Sequence, residues 1–469
     1  MKWFITALVI LLAALLLESG LLAYAMYVLL GVLLLSRWLA RNWISNLSAR
    51  RRVRLVRSRE ESDEPDVPAT QGLDLTAEVG DRVRVRLVIS NDGSLPVPWV
   101  LLEDRLPDSA IQRRSTRLKV RGKRLQIAML RGGGEVEIRY QVECLVRGYY
   151  PIGPLVMEGG DLFGLHRRFR VVTEPVYLLV YPRIVPLVGY ELASRRPIGD
   201  IRLTHRLYED PTRIAGVRPY EAGDPLNRVH WRATARTGEL HSKIYEPSTL
   251  AGATLMLDFH QAGYHRRGEP YRSELAITTA ASLANAVCEM GQQVGLVTNA
   301  RDAADRIREE EELHREEETL RTRKLARQIA PMEEESDRLR PLIVETRRSY
   351  EQLERIRQVL ARAELTDGFT FSQLVVETAS RLPRDATVVA ILPEVSEETA
   401  ISLGNLRRLG LAVTVVLITF SEDALEKAYA RLTAEQIRDL RHLADEVELP
   451  ELCQRQVERS SPYDFVGVR

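Results

Sequence analysis

Residues 3–40, "WFITALVILLAALLLESGLLAYAMYVLLGVLLLSRWLA", are apolar except for a break at Glu18-Ser19-Gly20. A bilayer's hydrocarbon core is about 30 Å thick and takes about 20 helical residues to cross. The run is almost twice that length with a turn-like break at its middle. It therefore predicts a transmembrane helical hairpin over 1–40, with helices at 3–17 and 21–38. One long tilted helix is the alternative. A cleaved signal peptide fits less well, because no small-residue cleavage site is followed by a polar mature start. Lys2 precedes the first helix, and Arg37, Arg41, Arg50, Arg51, Arg52, Arg54, Arg57 and Arg59 follow the second. Basic residues favour the cytoplasmic side. The expectation is a multi-pass protein of the inner (plasma) membrane with its soluble part in the cytoplasm. Trp38 and Trp43 stand where interfacial anchors belong, and the arginine cluster is placed to meet anionic headgroups.

The remaining length suits two or three domains at roughly 100–200 residues each. With 66 basic against 65 acidic residues, nothing suggests a nucleic-acid partner, which normally demands a basic excess. Cys144, Cys288 and Cys453 are scattered, with neither a disulfide framework nor a metal-ligand spacing. A reducing compartment suits them.

After a basic juxtamembrane segment and an acidic, proline-bearing linker (41–72), the hydrophobic period becomes two. "RVRVRLVI" (82–89), "VPWVLLEDRL" (97–106), "STRLKV" (115–120), "RLQIAML" (124–130) and "EVEIRYQVECLV" (135–146) are separated by Gly- and Pro-containing breaks. Val136, Ile138, Tyr140, Val142 and Cys144 would share one face of their strand. Such short strands at regular spacing predict an antiparallel, immunoglobulin-like β-sandwich over 73–185. From 253 the strands are unbroken apolar runs: "ATLMLDF", "QVGLVTN", "ATVVAILP" and "LAVTVVLIT". Runs buried on both faces belong to a parallel sheet covered by helices. Helical stretches at 273–291 and 396–410 each close on a glycine. The prediction is a multidomain α+β chain whose second domain, 251–420, is doubly wound α/β, followed by a helical tail over 421–469. Residues 301–365 interrupt that domain with dense Glu and Arg. Ile343, Thr346, Tyr350, Leu353, Arg357 and Leu360 follow a weak heptad seam, so the insertion reads as a charged, coiled-coil-like helix pair, with a solvated charge run as the alternative.

Between the two domains, within 186–250, lies "RPYEAGDPLNRVHWRATARTGELHSKIYE" (218–246). Read as a helix over 224–238, it has Asp224 as cap, Pro225 at the first position and Gly238 as terminator. Leu226, Val229 and Ala233 then share a face, with His230 at its edge. Arg228, Arg232 and Arg236 form a second stripe bordered by Trp231. A catalytic reading would pair Asp224 with His230, near Tyr220 or Thr234, but it lacks a committed nucleophile or metal set. An anion-binding reading would use Arg218, Arg228, Arg232, Arg236 and Lys243, since guanidinium forks match phosphate and carboxylate. Against it, Glu221, Glu239 and Glu246 stand ready to pair with those arginines. The preferred reading is a structural or docking element, with Trp231 locking the junction between the sandwich and the sheet domain.

This stretch resembles the signature of the bacterial domain of unknown function 58 family, R-x-Y-x-x-G-D-x-x-x-x-I-x-W-x-x-x-A-R-x-G-x-L. Arg218, Tyr220, Gly223, Asp224, Trp231, Arg236 and Gly238 match it, and Val229 replaces the usual isoleucine. "GGDLFGLHRRF" (159–169) and "VYPRIVPL" (180–187) match the family's upstream segments. The resemblance implies a membrane hairpin, a β-domain and a von Willebrand factor A-like domain. It also implies a scaffold or adaptor working with a MoxR-type AAA+ ATPase, since members are often encoded beside one. Metal-binding von Willebrand domains hold Mg²⁺ through D-x-S-x-S, a distant Thr and a further Asp. Here Asp258 is present, but His260 and Ala262 replace the serines, Pro393-Glu394 stands where the aspartate is usual, and Thr370 matches the threonine. A hard cation wants several oxygen ligands. A degenerate site at Asp258, without metal or other cofactor, is the expectation.

Overall fold

The structure is a computed structural model and describes residues 20–56, 75–111, 116–160, 167–188, 209–220, 229–247, 252–265, 268–308, 340–383 and 386–453. The chain divides into two compact units. One comprises Met1–Arg183, Arg301–Arg338 and Arg357–Leu365; the other Ile184–Ala300, Leu339–Ile356 and Thr366–Arg469.

The first unit opens with helix α1 (Gly20–Ser45), of which Tyr24–Ser45 is long and apolar enough to cross a membrane. The first arm of the expected hairpin lies outside the described residues. The second arm runs to Ser45 rather than 38, because nothing in "SRWLARNWIS" breaks a helix. Trp38 is exposed, whereas Trp43 is buried in the core of the sheets and is no interfacial anchor. Asn46 alone separates α1 from strand β1 (Leu47–Val56). The arginine-rich stretch expected to be a juxtamembrane segment is thus a strand of ten residues, and the acidic linker beyond it lies outside the described residues.

β1 begins an antiparallel sheet with β3 (Arg82–Asn91), β7 (Glu135–Cys144) and β5 (Leu118–Gly122), in the order β1-β3-β7-β5. A second antiparallel sheet is ordered β10 (Arg167–Thr173), β9 (Leu155–Gly160), β4 (Val97–Asp104), β6 (Leu125–Leu130). A third holds β2 (Leu75–Glu78), β11 (Val176–Tyr181) and β8 (Gly148–Ile152); β11 pairs parallel with β2, a departure from the all-antiparallel expectation. Alternation explains the core. Val83, Val85, Leu87 and Ile89 of β3 point inward, as do Ile138, Tyr140, Val142 and Cys144 of β7, and strands of all three sheets feed one hydrophobic cluster. Burial pushes the Cys144 thiol up to about 12, which makes it a packing group rather than a nucleophile.

Arg51 of β1 is drawn inside by Asp104. Its guanidinium pairs with that carboxylate, which also accepts from Tyr140, and donates to the carbonyls of Ile152 at 2.9 Å and Glu174 at 2.6 Å. Gly153, at φ +101°, is needed there: a Cβ would lie 2.3 Å from the Arg51 Nη1. Arg170 of β10 donates to the carbonyls of Ile44, Ser45 and Leu47 at 2.9–3.1 Å, satisfying the C-terminal end of α1. Buried Arg147 donates to the carbonyls of Leu360 and Ala363 at 2.9 and 2.8 Å.

The second unit is built on a six-stranded sheet. Its strands are β14 (Gly252–Leu257), β15 (Gln293–Thr298), β17 (Leu342–Arg347), β19 (Ala386–Leu392), β20 (Val413–Ile418) and β21 (Leu440–Leu443), ordered β17-β15-β14-β19-β20-β21. All pairings are parallel except that of β17 with β15, and the two-residue strands β16 (Arg301–Asp302) and β18 (Ala363–Glu364) pair antiparallel outside this sheet. β14 and β19 are buried along their whole length, as unbroken apolar runs require. Helices α3 (Tyr271–Glu289) and α6 (Glu397–Arg408) fall where expected, followed by Gly291 and Gly410 in left-handed conformation.

Two expectations are corrected here. The seam from Ile343 to Leu360 is not one helix. Leu342–Arg347 is the β17 edge strand, and only Gln352–Arg362 is helical (α4). β17 is held by a specific fit: Gly295 of β15 has no side chain, so Thr346 crosses it to bond Thr254 of β14, Oγ1 to Oγ1 at 2.6 Å. Residues 309–339 of the charged insertion lie outside the described residues. The C-terminal tail is not wholly helical either. After α7 (Glu422–Ala434), Leu440–Leu443 joins β20 as the last parallel strand.

Candidate functional site

The signature segment forms a bulged antiparallel hairpin of β12 (Glu209–Pro219) and β13 (His241–Pro247), with Arg218 opposite Ser242 and Pro219 opposite His241. Tyr220 continues the pairing through its amide to Leu240 at 2.9 Å. Gly223, Asp224 and Arg228 lie outside the described residues, so neither the Asp224–His230 pair nor the full arginine stripe is tested. The chain reappears at Val229, buried and bridged to Ser242.

Among the described residues of the helix expected over 224–238, only the seven-residue α2 (Trp231–Thr237) is helical. Its cap is His230, not Asp224: the His230 Nδ1 accepts from the Ala233 amide at 3.0 Å. The His230 backbone is itself tied to the His241 carbonyl at 2.8 Å, which prevents it from being helical. An Nδ1 lone pair used as a cap leaves the ring proton on Nε2. Gly238, at φ 78°, terminates the helix, its amide bonding the Thr234 carbonyl at 2.9 Å. No side chain of α2 is buried. Trp231 is 69% exposed, and Arg232 and Arg236 are exposed on the same short helix. Sequence reasoning missed His241. Its amide donates to Thr234 Oγ1 at 3.1 Å, and its Nδ1 lies 3.2 Å from Thr237 Oγ1. The i, i+3 threonines followed by His were the available signal.

A second constellation lies at the carboxyl ends of the sheet. The parallel strands run β15-β14-β19-β20-β21, so strand order reverses between β14 and β19. In open α/β sheets ligands bind at such switch points. Asp258 follows β14 there, Asn299 follows β15, and Pro393-Glu394 follow β19. Asp258 is 8% exposed, and its carboxylate accepts from the Asn299 side-chain amide at 2.9 Å and the His260 backbone amide at 3.1 Å. Burial pushes its titration upward, against the opposing pull of those two bonds. Asn299 also donates to the Phe369 carbonyl at 2.8 Å and accepts from the Phe259 amide at 2.7 Å. Thr370 serves as the cap of α5 (Phe371–Thr378) in a reciprocal capping box with Gln373. His260 caps a short turn, its Nδ1 3.3 Å from the Ala262 amide. Arg272 donates to the carbonyls of Pro393 and Ile418 at 2.6 and 2.9 Å. Among the described residues, no three His, Cys, Asp or Glu side chains are grouped to hold a metal. Asp258 and Thr370, which match a metal-binding pattern, are engaged with Asn299, Gln373 and backbone amides. Asn299, which organises them, was not singled out from sequence, since an Asn after a strand reads as an ordinary turn residue.

The molecule is thus a mixed α+β protein, with antiparallel sheets near an apolar N-terminal helix and a mixed α/β sheet after them. Residues 216–390 match the family described as protein of unknown function DUF58. It is 23% identical over 232 residues to the uncharacterized protein YeaD of Bacillus subtilis (strain 168), an alignment covering 49% of this chain and 55% of that protein. The chain spans about half the length of the curated relative it matches. Likenesses to solved structures are slight. The PapD-like domain 7 of human CEP192 covers 28% of this chain and 83% of its own, at 14% identity and a TM-score of 0.17. Proximal thread matrix protein 1 from the mussel byssus covers 44% and 46%, at 10% identity and a TM-score of 0.28.

Proposed function

We propose that this chain is a membrane-anchored scaffold or adaptor that acts through protein–protein contact, with a MoxR-type AAA+ ATPase as its partner. The observation that carries this is the exposure of Trp231 beside Arg232 and Arg236 on a short surface helix. Trp and Arg dominate the energetics of protein interfaces, and a 69% exposed Trp has no role in its own core. The competing reading, an enzyme or anion-binding protein using Asp224, His230 and the arginines, is disfavoured by the engagement of His230 as a helix cap.

On this reading the N-terminal sheets are an immunoglobulin-like sandwich and the six-stranded sheet is von Willebrand factor A-like. The membrane segment is a hairpin with both ends in the cytoplasm. Met26, Leu30 and Leu33 support the hairpin: they form a buried stripe on α1, whereas Leu34 and Leu35 are exposed. Reporter fusions at residue 19 and at the C-terminus should then report opposite compartments.

The functional test compares binding of a purified MoxR-type ATPase by the detergent-solubilised wild type and its Trp231→Ala variant. Loss of binding with unchanged thermal unfolding supports docking. Reproducible turnover of a substrate, abolished in a folded His230→Ala variant, would overturn the scaffold reading.

A further inference from the structure

Strand β6 is the edge of its sheet, and its alternation is unusual. Ala128 and Leu130 face the core, but the outward residues Leu125, Ile127 and Met129 are also apolar, the last two each 70% exposed. A sheet face that meets water normally carries polar side chains, and native edges are usually protected by charge. Here the charges stand only at the ends, as Lys123-Arg124 before the row and Arg131 after it. An exposed apolar row of this kind marks an interaction surface.

Its position indicates what it meets. Ile44, in the last turn of α1, touches β9 at Gly159, where an added Cβ would lie 3.2 Å from Ile44 and 3.6 Å from the Trp99 carbonyl of β4. β6 is the strand beyond β4, two strand spacings or about 10 Å from β9. The Arg131 carbonyl, just past Met129 and Leu130, accepts from the Asn91 side chain at 3.0 Å. Asp92, next to Asn91, donates through its amide to the carbonyl of Asn46, where the helix ends, at 2.9 Å. The Met129 end of the row is therefore the end nearest the exit of α1.

We propose that the outward row of β6 rests on the bilayer that α1 enters. Ile127 and Met129 enter the boundary between headgroups and acyl chains, and Lys123 and Arg131 meet anionic headgroups. This rests on the membrane-anchored reading above. Interfacial elements bury such apolar faces about 5–10 Å deep, flanked by basic residues. A second copy of the chain is the less favoured occupant. Antiparallel pairing of two β6 edges centred on Ile127 would set Lys123 opposite Arg131, and like charges directly opposed are destabilising.

The test uses the full chain in vesicles of mixed phosphatidylcholine and phosphatidylglycerol, with Cys288→Ser to remove the partly exposed thiol. An environment-sensitive fluorophore is placed in turn at Ile127→Cys, at Leu34→Cys in α1, and at Arg84→Cys on the exposed face of β3. All three positions are exposed, so the fold should tolerate them. Lipids brominated near the headgroup should remove most of the emission at 127 and reduce it at 34, leaving 84 unchanged. Quenching at 34 but not at 127 overturns the surface contact while anchorage stands. No quenching at 34 overturns anchorage itself. An oxidative cross-link between two copies through Ile127→Cys, with the label unquenched, assigns the row to a second copy and overturns the lipid contact.

Discussion

Arg51 and Asp104 form an ion pair in the interior of the N-terminal sheets, both side chains almost fully removed from solvent. Removing one partner of such a pair leaves the other charge buried and costs about 3–5 kcal/mol, whereas an apolar replacement of both is often tolerated. Arg51→Met should therefore lower the denaturant midpoint strongly, and Arg51→Met with Asp104→Leu should recover much of the loss. A double variant as unstable as the single one would show that the carbonyl bonds of Arg51, not its charge partner, dominate.

Arg170→Ala should release the last carbonyls of α1. Three charge-assisted contacts at a partly exposed helix end contribute about 1–2 kcal/mol together. Limited proteolysis should then cut near Asn46 faster than in the wild type, with the unfolding of the remaining sheets little changed. Unaltered protection at Asn46 would mean that Trp43 and Ile44 hold the junction by packing alone.

Asp258→Asn should stabilise the protein at neutral pH. Burial raises the folded-state titration of this carboxyl above its unfolded value, so its contribution to folding is fully present below the unfolded value and is lost as pH rises through the folded one. The advantage of the variant over wild type should consequently be largest at neutral pH and shrink in mild acid. Thermal unfolding across that range checks it. A variant less stable than wild type at neutral pH, or a wild type whose midpoint rises with added Mg²⁺, would show that the charged carboxylate is required.

Trp231→Ala should leave global stability within about 0.5 kcal/mol, the usual range for surface substitutions. Equilibrium unfolding measures this directly. A larger loss would place Trp231 in a packing role.

Local pattern carried most of these elements, and distant partners account for those it did not. The period of two in "RVRVRLVI" and the apolar runs from 253 onward correspond to β3 and to the buried strands of the second sheet. "LSARRRVRLV" looks like a lipid-facing basic segment until Asp104, 53 residues away, draws Arg51 inside. The three-and-four spacing from Ile343 to Leu360 imitates a helical seam, yet its first part pairs with β15 because Gly295 leaves room for Thr346. At the candidate site Asp258 and Thr370 are singled out by the family resemblance. Their actual commitments, to Asn299 and Gln373, depend on where a loop returns in three dimensions.

The single residue between α1 and β1 has a mechanical consequence. On the membrane-anchored reading proposed above, a long flexible tether would let a folded head diffuse through a hemisphere above the bilayer. Asn46 allows no such search, because the helix end is clamped by Arg170 and the following strand is locked at once by Arg51. Torque applied to α1 would pass into the β1 ladder without a swivel. On the membrane-anchored reading, the N-terminal sheets and α1 thus behave as one stiff lever.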